Sequence, residues 1–344
     1  MFKIAVFDCK KYDIESLNQL KSDLFEFKFY EVRLTRDSVA LAYGCDGICV
    51  FVNDDVNKSV IDKLVEYGVK AIFLRCAGFN NVDVEYCFGR IHVFRVPAYS
   101  PYAVAEHAMA LLLTSNRRIH KAYNRTRDFN FSLEDLTGMD LYNKTVGVIG
   151  TGKIGRIFID ICRGFRMNVI AYDPYPLKDS DIEYVSLDTI FEKSDIISLH
   201  CPLTEQTRDI INKETINKMK KGVFIINTSR GGLVDSKALL EGIKERKVGA
   251  ACLDVYDEEA DIFYNDKSSH ILDDDILRNL ISMPNVIVTS HQAFLTHEAL
   301  TNIADATKEN IEKFINDEMN PTNEVCYRCG HQATCSKVRN KKCF

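Results

Sequence analysis

The stretch Val146-Gly147-Val148-Ile149-Gly150-Thr151-Gly152-Lys153-Ile154-Gly155 decides the fold. A short β-branched run enters a loop with Gly-x-Gly-x-x-Gly spacing, and a helix-period pattern leaves it. Glycines at these positions permit a tight turn and let the backbone approach a pyrophosphate, which rests on the amides of the helix N-terminus. The spacing alone is common. The strand before it and the helix after it are the context that gives it meaning, and both are present. Asp173 ends the next strand-like run, Val169-Ile170-Ala171-Tyr172, eighteen residues past Gly155. A carboxylate there accepts hydrogen bonds from ribose hydroxyls and repels a 2′-phosphate. Pro174 and Tyr175 follow, so no arginine is poised to welcome that phosphate, and the loop predicts NAD rather than NADP.

The same rhythm extends in both directions. Residues 145–149, 168–172, 195–199, 223–227, 248–253 and 286–289 read as strands, with crossover helices over 154–165 and 236–245. Upstream, residues 3–7, 27–33, 47–51, 70–74 and 92–96 read as a smaller set of strands. Helical patterns over 14–24 and 58–67 separate them. A long, mostly apolar helix over 102–117 follows Ser100-Pro101, with proline suited to a first helical position. A second long helix, over 296–314, can return the chain to the first domain. The expected fold class is α/β, with two doubly wound parallel-sheet domains and a cleft between them. A flavodoxin-like catalytic domain would comprise residues 1–100 and 298–325, a Rossmann NAD-binding domain residues 101–297, and a Cys-rich basic tail residues 326–344.

Composition bounds the rest. A chain of 344 residues exceeds what one hydrophobic core usually serves. Apolar residues make up 46% and charged residues 27%, an ordinary soluble balance. A net charge of −5 supplies no basic field for nucleic acid or for a membrane surface. Asp8 interrupts the opening apolar run before it could serve as a signal-peptide core, and no apolar stretch approaches a membrane span. The expectation is a cytoplasmic protein. Eight of the 12 cysteines are scattered singly in apolar context, as free buried thiols are in a reducing compartment.

Three residues follow strand-like runs downstream of the glycine loop. Arg230, in Asn227-Thr228-Ser229-Arg230-Gly231-Gly232, offers a planar fork for a carboxylate and a carbonyl oxygen. His291, in Thr289-Ser290-His291-Gln292-Ala293-Phe294, offers a proton donor suited to near-neutral pH. Glu259, beyond Asp254-Val255-Tyr256, offers a carboxylate that stabilises a charged imidazole. Taken singly, Arg230 would be an ordinary surface arginine, His291 a structural histidine and Glu259 part of a solvated acidic run. As a set at the carboxyl edge of an open α/β sheet, where ligands bind, they point to hydride transfer to a 2-oxo acid.

Further motifs carry a resemblance. They are Phe51-Val52-Asn53-Asp54-Asp55, Arg75-Cys76-Ala77-Gly78-Phe79-Asn80-Asn81-Val82-Asp83, Val96-Pro97-Ala98-Tyr99, Asn116-Arg117-Arg118-Ile119-His120, Asp128-x-Asn130-Phe131-Ser132-Leu133-Glu134, and His291-Gln292-Ala293-Phe294-Leu295-Thr296. With these, the chain resembles the D-specific 2-hydroxyacid dehydrogenases from Lys3 to about Asn323, and most of all the bacterial fermentative, NAD-dependent branch acting on D-lactate. The resemblance implies reversible reduction of pyruvate to D-lactate by NADH. It assigns the 2-oxo acid to Arg230 and the proton to His291 with Glu259 as partner. It places the substrate carboxylate on the Ala77-Gly78 amides and the small side chain beside Tyr99 and Phe294. Gly150, Gly152, Lys153, Ile154, Gly155, Asp173, Cys201, Pro202, Thr207, Thr228, Ser229 and Asp254 fall at NAD-contacting positions. Family members are homo-oligomers, dimers or tetramers.

Two alternatives stay open on sequence. A bulkier 2-oxo acid, such as 2-oxoisocaproate or phenylpyruvate, differs only in pocket volume, and one methylene changes discrimination by just ~1–3 kcal/mol. An NADH-binding corepressor could use the same fold without catalysis. The stretch Cys326-x-x-Cys329-x-His331-x-x-x-Cys335, with Cys343 beyond, has ligand types for zinc, but its spacing fits no standard finger. No metal is predicted, and a thiol-bearing tail is the expectation.

Overall fold

The computed structural model describes residues 1–20, 22–259, 262–318 and 322–327. The chain forms two compact units. One comprises Met1–Ser100 with the chain from Leu295 onward, and the other is Pro101–Phe294.

In the first unit, strands β1 (Phe2–Val6), β2 (Phe25–Phe29), β3 (Gly47–Val50), β4 (Ala71–Leu74) and β5 (His92–Phe94) lie in the order β2-β1-β3-β4-β5. All pairs are parallel, and the order is flavodoxin-like. β3 and β4 are buried along their whole length, as inner strands of a sheet covered on both faces must be. The helix Lys58–Glu66 turns Val60, Ile61 and Leu64 inward, and Asn57 caps it by accepting the Ser59 and Val60 amides. The helix expected over 14–24 instead spans Lys11–Asn18. Its apolar period runs on through Leu20 and Leu24, but the Leu24 carbonyl accepts the Phe2 amide at 2.8 Å. Sheet pairing therefore starts where the pattern still reads as helix, and β2 begins two residues earlier than expected.

The chain's last described segment completes this unit. The helix His297–Ile315 brings Ala304 and Ile311 into the core and stacks Phe314 edge-on against Phe2, Phe73 and Phe94. Residues 322–325 then run antiparallel to β5. The Arg95 amide donates to Asn323 and the Val325 amide to Val93, each at 2.8 Å, while Phe94 bridges Glu324. This short segment covers an edge that would otherwise present unpaired backbone groups.

In the second unit, β6 (Thr145–Ile149), β7 (Asn168–Tyr172), β8 (Glu183–Tyr184), β9 (Ile196–Leu199), β10 (Val223–Asn227), β11 (Val248–Leu253) and β12 (Val286–Val288) form one parallel sheet. Its order is β12-β11-β10-β9-β6-β7-β8, a dinucleotide-binding arrangement extended by one strand. The order reverses between β6 and β9, so the glycine loop after β6 opens at the switch point. The helix Pro101–Arg117 belongs to this unit, with Ala105, Ala108, Leu111 and Leu112 packed among Val146, Val148, Phe158 and Ile196. Among the described residues no helix is long and apolar enough to cross a membrane.

Candidate active site

The glycine loop is shaped by close approach. Gly150 has φ +97°, and a β-carbon on it would lie 2.6 Å from the Cys201 amide and the His200 carbonyl. A β-carbon on Gly155 would meet the Gly150 oxygen at 2.0 Å. Gly152 has open space beside it and caps the helix Lys153–Gly164 without any side chain, which leaves that helix's first-turn amides available to an anion. Beneath the loop, burial pushes the His200 imidazole down to about 3, so it is neutral where it meets Ser198 Oγ at 2.8 Å.

Asp173 is tied to the same loop. Its Oδ2 accepts the Thr151 amide at 2.7 Å and the Thr151 hydroxyl at 3.0 Å, and its Oδ1 accepts the Tyr175 amide. Thr151 has given its only hydroxyl proton to Asp173, so the Tyr184 hydroxyl, 3.0 Å away, must donate to Thr151. Neither Thr151 nor Tyr184 announces this role in the sequence. At the end of β10, Thr228 is buried, and its hydroxyl oxygen has no protein partner. Ser229 donates its hydroxyl to the Cys201 carbonyl at 2.7 Å. Burial pushes the Cys201 thiol up to about 11, so it is an inert wall of the site. The Thr207 hydroxyl donates to the Pro202 carbonyl and accepts the Thr204 amide, which pins that loop.

Arg230 stands exposed at the carboxyl end of β10, its guanidinium donating to its neighbour's carbonyl, that of Ser229, at 2.7 Å. The Asn227 side chain holds the Arg230 carbonyl and the Ser229 amide, fixing the turn. Gly231 lets this turn rest directly on the backbone of Tyr256 and Asp257, beyond β11.

Glu259 and His291 meet. His291 Nδ1 lies 2.7 Å from Glu259 Oε1, and Glu259 Oε2 accepts the Tyr256 amide at 2.8 Å. The carboxylate is thus held at both oxygens, and Nε2 is the ring nitrogen left for chemistry. His291 itself has φ +54°, a left-handed conformation rare for a β-carbon-bearing residue. Three bonds hold it there. Its amide donates to the Asp254 carbonyl at 2.7 Å, its carbonyl accepts the Tyr264 hydroxyl at 3.0 Å, and its ring meets Glu259. Such a conformation costs of order 1–3 kcal/mol and persists where surroundings impose it.

Asp254 is fully buried at the end of β11. Burial would raise its carboxyl, but hydrogen bonds from His107, Thr289 and the Ala293 amide outweigh burial and hold it below the usual carboxylate range. Its oxygens accept the Thr289 hydroxyl at 2.5 Å and the Gln292 and Ala293 amides at 2.9 Å each. Through these bonds the Asp254 carboxylate holds the loop that carries His291. Phe294 is buried at the end of that loop, with 7% of its surface exposed.

Ala77, Gly78 and Tyr99 lie in the first unit. The Ala77 carbonyl accepts Arg95 Nη1 at 3.1 Å, the Gly78 carbonyl accepts the Cys76 thiol, and the Tyr99 carbonyl accepts Asn302 Nδ2. Of the Cys-rich stretch, Cys326 is half-buried, whereas Cys329, His331, Cys335 and Cys343 lie outside the described residues. No group of three or more His, Cys, Asp or Glu able to hold a metal occurs among the described residues.

Known proteins share this fold. Residues 109–293 match the family model described as D-isomer specific 2-hydroxyacid dehydrogenase, NAD binding domain. The chain is 49% identical to the D-lactate dehydrogenase of Escherichia coli over 329 residues, 94% of this chain and all of that one. The apo-structure of the E. coli D-lactate dehydrogenase superposes with a TM-score of 0.86 at 47% identity, covering 94% of this chain and all of that one. The pyruvate reductase of Chlamydomonas reinhardtii superposes with a TM-score of 0.89 at 43% identity, covering 93% of this chain and 98% of that one.

Proposed function

Because the chain belongs to the D-isomer specific 2-hydroxyacid dehydrogenases, an NAD-dependent family, we propose that its reaction is the reversible reduction of pyruvate to D-lactate by NADH. The observation that carries this reading is the His291–Glu259 contact of 2.7 Å. It leaves one imidazole nitrogen to deliver a proton while a carboxylate balances the charge. The E. coli relative, named for D-lactate, supports the choice of substrate.

The residues fit the cofactor. Gly150 and Gly155 let the loop fold tightly on its own backbone, Gly152 leaves open space beside the helix N-terminus, and Thr228 holds a buried hydroxyl with no protein partner. Gly150, Gly152, Lys153, Ile154 and Gly155 would hold the pyrophosphate and Asp173 the adenosine ribose. Cys201, Pro202, Thr207, Thr228 and Ser229 would line the remainder, and Asp254 would act there mainly through the loop it holds. When bound, reduced nicotinamide supplies the hydride that reduces the carbonyl carbon.

The chain's own residues supply the rest. Arg230 would bind the 2-oxo acid with its fork, holding carboxylate and carbonyl oxygen in one plane. His291 Nε2 would give its proton to that oxygen as negative charge builds there. Glu259 would hold Nδ1 and stabilise the charged ring before the transfer. Ala77, Gly78, Tyr99 and Phe294 are assigned to substrate by the same reading.

We also place the protein in the cytoplasm as a homo-oligomer. Eight buried cysteines are free, as suits a reducing compartment. Phe129, Phe131 and Leu133 expose 84%, 71% and 81% of their surface within five residues, an apolar patch that a second copy would cover. Light scattering at working concentration tests the assembly, and a monomer overturns it.

The deciding experiment follows NADH absorbance with pyruvate, then with 2-oxoisocaproate and phenylpyruvate, and the reverse reaction with D- and L-lactate. Pyruvate should turn over fastest and only D-lactate should be oxidised. Failure with pyruvate, or a preference for a longer acid, overturns the proposal.

A further inference from the structure

One histidine stands among the buried alanines and leucines of the helix Pro101–Arg117. His107 Nε2 lies 3.1 Å from Thr289 Oγ1 and 3.3 Å from Asp254 Oδ1. Proton bookkeeping fixes what it does. Thr289 has one hydroxyl proton, and Asp254 Oδ1, an acceptor only, takes it at 2.5 Å. Thr289 Oγ1 can then only accept, so His107 carries its proton on Nε2 and donates to the Thr289–Asp254 pair.

That pair controls the loop bearing the reactive ring. Asp254 binds the hydroxyl of Thr289 and the amides of Gln292 and Ala293 through its carboxylate, and the amide of His291 through its carbonyl. Four contacts, from Thr289, His291, Gln292 and Ala293, thus converge on one fully buried residue. Without His107 the buried Asp254 carboxylate keeps those three donors, but Thr289 Oγ1 loses the proton it accepts and the cluster is left one hydrogen bond short in a dry environment, which costs free energy. His107 is the side chain that supplies a proton from the helix side.

We infer that His107 is a positioning residue for the reaction: acting through Thr289 and Asp254, it holds His291 in its left-handed conformation with Nδ1 on Glu259. The inference rests on the reading of His291 as proton donor. It adds a residue that neither touches substrate nor lies on any strand end.

The experiment compares wild type with His107→Leu, which removes the donor, and His107→Gln, which retains one. In the leucine variant kcat should fall about 10–100-fold, as small displacements of reacting groups do. NADH affinity, read by fluorescence titration, should barely change. The solvent deuterium isotope effect on kcat should rise, because protonation by a displaced ring becomes slower. The glutamine variant should recover most of the loss. A leucine variant that merely melts earlier, with kcat and isotope effect intact, overturns the inference. If that variant does not fold, Thr289→Val removes the same link and carries the same expectations.

A second readout needs no turnover. In protein labelled with 15N-histidine, the His291 ring resonances, assigned through His291→Gln, should move in His107→Leu and return toward wild type in His107→Gln. Unmoved resonances overturn the inference. The wild-type assay with pyruvate, run in parallel, judges the proposed reaction separately.

Discussion

A β-carbon on Gly231 would lie 2.1 Å from the carbonyl carbon of Tyr256. The two loops therefore touch through bare backbone, one carrying Arg230 and the other leading to Glu259. The Tyr256 amide in turn holds Glu259 Oε2, so this contact joins the Arg230 turn to the carboxylate that holds His291 Nδ1.

Gly231→Ala should accordingly separate the loops, because backbone, unlike the end of a flexible side chain, cannot step aside. Stability should fall by about 1–3 kcal/mol in urea unfolding. The value of kcat/KM for pyruvate should fall by about 10²-fold. A variant with wild-type kinetics would show that the loops tolerate separation.

Arg230→Lys should be nearly silent in stability, since the guanidinium is exposed and its hydrogen bond within the protein is to Ser229. Surface changes of this kind stay within roughly 0.5 kcal/mol. Pyruvate use should still suffer, by about 10²-fold in kcat/KM or ~2.7 kcal/mol, because an ammonium cannot replace the fork. Unaltered steady-state constants would remove Arg230 from the site.

His291→Gln should lower turnover by about 10²–10⁴-fold, the usual yield of general acid catalysis. Glu259→Gln should cost less, since a carboxamide oxygen can still accept from Nδ1 but no longer balances charge. The double variant should be no slower than His291→Gln alone, because the two act as a unit. Multiplied losses in the double variant would mean that they act separately.

Asp54 offers a test by pH. It is buried at the carboxyl end of β3, and its oxygens accept the Leu34 and Phe51 amides at 2.6 Å each. Burial pushes its carboxyl up to about 6, against the pull of the nearby Arg75 guanidinium and those amides. A raised carboxyl binds its proton more tightly in the folded state than in the unfolded one. Stability should therefore be full below about pH 4, decline as pH rises from there to about 6, and then level off. The loss is on the order of 2–3 kcal/mol. Urea midpoints at pH 5 and pH 7.5 should differ in wild type by more than in Asp54→Asn; equal differences would refute the assignment.

Much of this was legible in the residues. Parallel strands buried on both faces appear as unbroken apolar runs, so β3, β4, β9 and β10 stood out, and the glycine spacing located the switch point. The pairing of Glu259 with His291 was readable as chemistry, since each follows a strand and each needs the other. What stayed hidden depends on tertiary contact. The helices Leu187–Lys193, Lys213–Lys218 and Asp275–Ser282 are too short for a clear period, though Ser186, Asn212 and Asp274 cap them visibly. The left-handed backbone of His291 is imposed by Asp254 and Tyr264, which no local pattern reveals. His107 drew no reading from the sequence, because its partners Thr289 and Asp254 lie far along the chain.

The first sheet draws on segments about three hundred residues apart, with Phe314 packed on Phe2 and residues 322–325 sewn to β5. During synthesis, the stretch from Pro101 to Phe294 leaves the ribosome complete while its predecessor still lacks a helix and an edge. A later-synthesised stretch can thus mature before the one that precedes it. A stop codon placed shortly before His297 would spare the dinucleotide-binding half and strand the amino-terminal half unfinished.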